Sequence, residues 1–190
     1  METKVVIGFI TPNRYFAPWE FVESALRIPR EYTFIVRKGA LIEENRNWII
    51  QDSKHADILL MIDTDMVFTR QDVENILRHI KEGKDYVCGF YRKGHKPYDS
   101  QIYVGYDNGL RKHISEEPGS MKEIYASGAC FVALSKKLIQ ALPPRPFERI
   151  VKNNILLGED LSFCQRVRDA GFTLWCDPSI KIGHVVSEVI

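Results

Sequence analysis

Asp63-Thr64-Asp65 directly follows an apolar run, residues 58–62, that reads as a buried strand. In an open α/β sheet, ligands gather outside the carboxyl ends of the strands. Two carboxylates one residue apart at such an end can both approach a hard divalent cation and a diphosphate. A strand-ending turn with a helix cap would use the same residue types, so the placement after a strand gives the motif its weight. A second acidic pair, Glu159-Asp160, follows Gly158 and opens an amphipathic stretch. The helix dipole favours carboxylates there, which makes capping the competing role. The pair also follows a loop where a site can open. His184, after Gly183 near the last apolar run, offers an imidazole that can ligate a first-row metal.

These groups need a frame. Residues 5–10 form a short apolar run ended by Thr11-Pro12, a first strand. Residues 18–26 put Trp19, Val22 and Leu26 on one helical face, expected to be the packed one. Residues 32–36 are a second strand stopped by Arg37-Lys38-Gly39, and 41–53 a helix. The next helix is well signalled: Thr69 can cap it, Asp72 lies three residues on, and Val73, Ile76, Leu77 and Ile80 form one apolar stripe. Gly83 suits its end, and residues 85–90 give a fourth strand. Repeated β-α-β units imply a mostly parallel sheet covered by helices. Residues 91–120 break the pattern; they are polar and rich in Gly and Tyr, with a hairpin of 102–106 and 110–114 around Asp107-Asn108-Gly109. That segment is expected to lie over the sheet as an insertion. Residues 129–134 return to a strand, 160–170 form a helix with Leu161, Cys164 and Val167 on one face, and Gly171 ends it. Two final strands, 173–176 and 180–183, are expected around a turn at Asp177-Pro178.

The 190 residues suit one domain, with a first half, 1–90, and a second half, 91–190. A net charge of +1 argues against nucleic acid as a partner. No apolar run approaches a membrane span, and residues 1–4 lack the apolar region of a signal peptide, so a cytoplasmic location is expected, host cytoplasm if a virus encodes the chain. Cys88, Cys130, Cys164 and Cys176 form no Cys-x-x-Cys pair and read as buried thiols rather than zinc ligands.

In order and spacing these residues resemble the GT-A-fold, metal-dependent glycosyltransferases of the nucleotide-diphospho-sugar transferase superfamily. Glu44-Asn45-Arg46-Asn47, a strand and then Asp63-Thr64-Asp65 match their first half, where an Arg-Asn pair lies on the helix before the strand that delivers Asp-x-Asp. Ser127-Gly128-Ala129-Cys130-Phe131 looks like their acceptor-side glycine segment. Gly158-Glu159-Asp160-Leu161-Ser162-Phe163, Arg166, Ala170-Gly171-Phe172 and His184 are similar to their Glu-Asp-x-x-Phe…Arg…Ala-Gly…His signature. The resemblance covers residues 5–185. It implies a GT-A (Rossmann-like) α/β fold, a mixed, mostly parallel sheet flanked by helices with a small β-hairpin insertion. It also implies a nucleotide-binding first half, an acceptor-binding second half, and sugar transfer from a nucleotide-diphosphate donor to a carbohydrate, protein or lipid acceptor with Mn2+ or Mg2+.

On that resemblance Asp65 and His184 would ligate the ion, with Asp63 contacting ribose or sugar or assisting through water. Thr11 and Pro12 would lie against the nucleobase. Arg46 would reach the diphosphate or hold Asp63, against the plainer reading of a surface arginine paired with Glu43. Gly128 and Glu159 fall on the acceptor side. Asp160 would be the base, because the second acid of the pair serves in the relatives and because Asp160 directly precedes the packed stripe starting at Leu161. Simple capping is its plainer role. Many relatives carry an acidic pair for the nucleobase or ribose where this chain has Arg37-Lys38-Gly39, which leaves the base open. Tyr91, Tyr98, Tyr103 and Tyr106 suit either a platform for an acceptor sugar or cross-strand pairs in a hairpin.

Three other readings are weaker. A sugar nucleotidyltransferase carries a Gly-rich basic loop after its first strand, where this chain has Thr11-Pro12-Asn13-Arg14-Tyr15. A haloacid-type phosphatase places its Asp-x-Asp after the first strand, not the third. An inactive GT-A domain that only binds carbohydrate or nucleotide need not keep Asp65, Asp160 and His184 together.

Overall fold

The computed structural model describes residues 3–11, 17–39, 41–93, 98–107, 110–113, 120–152 and 154–185. The first half contains β1 (Val5–Ile10), α1 (Trp19–Leu26), β2 (Thr33–Arg37), α2 (Ile42–Asp52), β3 (Ile58–Asp63), β4 (Met66–Val67), α3 (Arg70–Lys81) and β5 (Tyr86–Phe90). The second half opens with β6 (Ile102–Asp107), β7 (Leu110–His113), β8 (Lys122–Ile124), β9 (Ala126–Ser127), β10 (Phe131–Ser135) and α4 (Lys136–Ala141). It ends with β11 (Val151–Lys152), β12 (Ile155–Leu156), α5 (Glu159–Asp169), β13 (Leu174–Lys181) and β14 (Gly183–His184).

One seven-stranded sheet, ordered β2-β1-β3-β10-β5-β13-β8, forms the centre. β2, β1, β3, β5 and β13 run one way, while β10 and β8 run against them. Every residue of β1, β3 and β5 is buried, which is why these strands read as continuous apolar runs instead of alternating ones. The expected hairpin forms from β6 and β7 and is extended by β9 into a three-stranded sheet.

The strand β10 matters most for the site. It is wedged antiparallel between β3 and β5, so its start lies beside the end of β3: Phe131 pairs with Ile62, and the Asp63 amide donates to the Cys130 carbonyl at 2.9 Å. The glycine segment 127–130 therefore arrives at the same end of the sheet as Asp63.

The helix α3 forms as expected. Thr69 and Asp72 make a reciprocal capping box, Val73, Ile76, Leu77 and Ile80 are buried, and Gly83 follows at φ +100°. Two expectations are corrected. In α1, Trp19 and Leu26 are 70% and 74% exposed, and Phe21 and Ser24 face the core instead. The helix is turned because Phe21 meets Phe9 and Phe68 edge-on, while Ser24 Oγ accepts the Phe68 amide. At the C-terminal side, Asp177-Pro178 does not turn the chain. It sits inside the continuous strand β13, where the register against β5 shifts between Asp177 and Lys181. Asp177 Oδ1 accepts from the Ser179 amide and hydroxyl, closing the irregularity locally as a side-chain turn.

Candidate active site

Arg46 is the centre of the site. It lies on the buried face of α2 with Asn45, Asn47, Ile49 and Ile50, and is 1% exposed. Its Nη2 donates to Asp63 Oδ2 at 2.9 Å, and its Nη1 donates to Asp160 Oδ1 and to Glu159 Oε1, the latter at 3.3 Å. The guanidinium sits over the Phe147 ring, 5.5 Å from its centroid, and Phe147 stacks on Phe163 at 4.2 Å. Asn47 fixes that floor by accepting the Phe147 amide at 2.9 Å. The surface reading of Arg46 is thus excluded; Glu43 pairs with Arg149 instead. Of its two expected roles, the structure supplies the grip on Asp63.

Three carboxylates around one cation leave a net negative cluster in a mostly dry setting. Burial raises the Asp63 carboxyl above its ordinary value, with Arg46 opposing and Asp65 adding to the rise. Burial likewise pushes Asp160 up to about 7; Arg46 opposes, and Glu159 and Asp63 reinforce. Arg46 itself is held well above its usual range, because Asp160, Asp63 and Glu159 together outweigh the burial that would lower it.

The acids of α5 are not its caps. Gly158 occupies the N-cap position and no side chain caps the helix. Glu159 and Asp160 point at Arg46, with side chains 18% and 21% exposed. A backbone hydrogen bond from Ala129 also reaches Asp160, so the β10 approach and the α5 start meet on this carboxylate.

Asp65 and His184 come together through a two-stranded pair that the sequence did not reveal. Strand β14 pairs antiparallel with β4, His184 opposite Met66, and the Val185 amide donates to the Asp65 carbonyl at 2.8 Å. His184 Nε2 lies 3.3 Å from Asp65 Oδ2, and its Nδ1 lies 3.0 Å from the Arg92 carbonyl, which orients the ring with Nε2 toward Asp65. The hydrogen bond to Asp65 raises the imidazole's pKa above its ordinary value, against burial.

Among the described residues no group of three His, Cys, Asp or Glu side chains encloses a metal. The residues present nonetheless suit a divalent ion bound partly by a ligand. Among the described residues Asp63 Oδ1 and Asp65 Oδ1 are both buried with no nitrogen or oxygen partner; besides Arg46, Asp63 meets the weak donor thiol of Cys130. Orphaned buried carboxylate oxygens are costly unless something pairs with them. A carboxylate-imidazole set matches manganese or magnesium better than a thiophilic ion.

Thr11, at the end of β1, lies beside this loop: the Thr64 amide donates to the Ile10 carbonyl at 3.0 Å, and Thr64 Oγ1 is 3.4 Å from Thr11 Oγ1. Pro12 lies outside the described residues. Gly128, Glu159 and Asp160 share the wall of one pocket of about 160 Å³, together with Gln101, Tyr103, Ser127, Gly158 and Leu161. Of the tyrosines, Tyr91 and Tyr103 are 1% and 7% exposed, built into the site rather than onto its surface. The Tyr106 side chain lies outside the described residues. All four cysteines are buried and free.

Sequence reasoning missed Phe147, Cys130 and Gln101 as site residues. Phe147 follows the Pro143-Pro146 loop, and Asn47 of the Arg-Asn motif is its anchor, so only the tertiary contact reveals it.

No protein-family model matches the sequence, and no curated protein matches it. Solved structures do match. A197 from STIV superposes with a TM-score of 0.70 at 17% identity, covering 97% of this chain and 87% of that one. GalNAc-T7, crystallised with UDP, GalNAc and Mn2+, superposes with a TM-score of 0.65 at 12% identity over 96% of this chain. This chain spans 44% of GalNAc-T7. At such identities the likeness speaks to the fold, and with the five-against-two sheet and its flanking helices it makes this chain a GT-A-like α/β protein.

Proposed function

We propose that the chain is a glycosyltransferase that moves a sugar from a nucleotide-diphosphate donor to an acceptor hydroxyl, with a divalent ion, Mn2+ or Mg2+, at Asp65, His184 and Asp63. The observation that carries this reading is Arg46. One buried guanidinium holds Asp63 at the metal end and Asp160 and Glu159 at the acceptor end. A cap, a surface ion pair or a lone binding loop would have no need of that link. The neighbour GalNAc-T7, seen with UDP, GalNAc and Mn2+, has the same fold and supports the choice of ligand class.

A bound divalent ion would act as a Lewis acid toward the leaving diphosphate. The chain's own residues do the rest. Asp63, held by Arg46, would face the ribose or sugar, and Thr11 would lie toward the nucleobase. Asp160 takes the proton from the attacking hydroxyl. A carboxyl with a pKa of about 7 is half ionised at neutral pH and is basic enough to accept that proton, close to the optimum for a general base. Its neighbour Glu159, which Arg149 also approaches at 3.8 Å, would hold the acceptor.

A thermal-shift screen of nucleoside diphosphates with and without manganese tests the binding half. A ligand specific to the folded state raises the melting temperature by mass action. One diphosphate stabilising only with manganese is expected. Equal shifts in excess chelator would remove the metal from this reading.

A further inference from the structure

Two polar groups beside Asp160 have no use in the chemistry so far. The Tyr91 phenol oxygen is buried and makes no hydrogen bond among the described residues. Gln101 is anchored by its backbone, donating to the Tyr91 carbonyl at 3.2 Å and accepting from the Gly128 amide at 3.0 Å, yet its side-chain amide makes no hydrogen bond among the described residues. Both converge on Gly128. A Cβ on that glycine would lie 2.6 Å from Tyr91 Oη, 2.8 Å from Gln101 Oε1 and 3.5 Å from Asp160 Oδ2. The missing side chain lets a phenol, an amide and the proposed base crowd one point on the pocket wall.

We infer that this pocket is the acceptor subsite for a single sugar ring, and that Gln101, packed beside the Tyr91 phenol at Gly128, reads a second hydroxyl next to the one that reacts. This inference rests on the transferase reading and names its acceptor class. The pocket, about 160 Å³, is smaller than the roughly 300–1,000 Å³ typical of sites for drug-sized ligands and fits one ring rather than a chain. Glu159 and Asp160 accept hydrogen bonds, and the Gln101 amide, which meets Asp160 at Gly128, both donates and accepts. Tyr103 and Leu161 supply the apolar surface that the face of a sugar needs. A lone alcohol, as on serine, threonine or a lipid, would satisfy Asp160 and leave Gln101 unpaired. A site built to bond a hydroxyl discriminates strongly against ligands that lack it.

The test uses the full chain with manganese and a donor that it turns over. Methyl hexopyranosides, their monodeoxy forms, a serine/threonine peptide and a long-chain alcohol are offered as acceptors. Transfer to a methyl glycoside is expected, with the peptide and alcohol at least about tenfold poorer in kcat/KM. Removing the hydroxyl adjacent to the reacting one should cost about 10–100-fold, and Gln101→Leu should cost the same on the intact acceptor. The two changes combined should cost no more than either alone, because they delete one interaction. Tyr91→Phe should raise KM more than it lowers kcat, and it remains informative if Gln101→Leu fails to fold. Additive losses, or peptide or alcohol accepted as well as glycosides, would overturn the subsite. Donor turnover without any glycoside transfer overturns this inference alone. No donor turnover at all overturns the transferase reading and this one with it.

Discussion

At the residue scale, the proposed chemistry depends on Asp160 and Arg46. Asp160→Asn keeps shape and hydrogen bonding but cannot accept a proton, so transfer should fall about 10²–10⁴-fold while donor and metal still bind. The same variant carries a stability signature. Burial raises the Asp160 carboxyl to about 7, above its unfolded value. The folded state therefore holds a proton that the unfolded chain has lost, and stability from this group, full below pH 4, is lost as pH rises through 7. Asn removes that dependence. Its melting temperature should equal that of the native chain near pH 4 and exceed it at pH 8. The side chain is still a fifth exposed, so the gain is held to about 1–2 kcal/mol, roughly 2–8 °C for a chain of this size. Paired pH-melting curves check this; identical slopes would contradict it. Arg46→Met leaves Asp63, Asp160 and Glu159 without their shared cation and should destabilise by about 3–5 kcal/mol, read from denaturant melts. Arg46→Lys keeps the charge but has no planar fork to span three carboxylates, so donor affinity should fall by more than a few-fold.

At the element scale, the site is a meeting of strand ends. α2 must press close to β1 for Arg46 to reach the ends of β3 and α5. Gly8 permits this, since a Cβ there would lie 2.5 Å from Ile49 Cγ2. Gly8→Ala should cost about 1–3 kcal/mol through overpacking and should weaken manganese-dependent nucleotide binding as well, a pairing that calorimetry on one preparation can check. In α1, Phe21→Ala should cost about 3–5 kcal/mol, while Trp19→Ser should stay within about 0.5 kcal/mol. How legible each element was follows from its physics. α3 was readable because caps and periodicity are local, and β1, β3 and β5 because burial on both faces leaves an apolar run. The buried face of α1 departs from its periodicity because Trp19 and Leu26 satisfy a helical period while the aromatic contacts of Phe21 decide the packing. The β4-β14 pair was invisible because two-residue strands have no periodicity, yet it is what brings His184 to Asp65. Asp63, Asp65 and Asp160 could be picked from the sequence by their place at element ends, and Gly128 by the resemblance of its glycine segment. Phe147 and Gln101 could not, because only tertiary contacts place them there.

At the scale of the whole molecule, one end of a GT-A-like sheet gathers two sets of groups: carboxylates and an imidazole, proposed to hold a metal-bound diphosphate, and a high-pKa carboxylate beside a small pocket. Among the described residues no helix is long and apolar enough to cross a membrane. The central claim is that these two sets of groups act on one nucleotide sugar. It is tested most directly by the release of nucleoside diphosphate from a panel of nucleotide sugars, without acceptor, with manganese and then with excess chelator. Slow release from one donor, abolished by chelator, restored by manganese and lost in Asp65→Ala, is the predicted result. No release from any donor, or release that persists undiminished in chelator, would contradict the account.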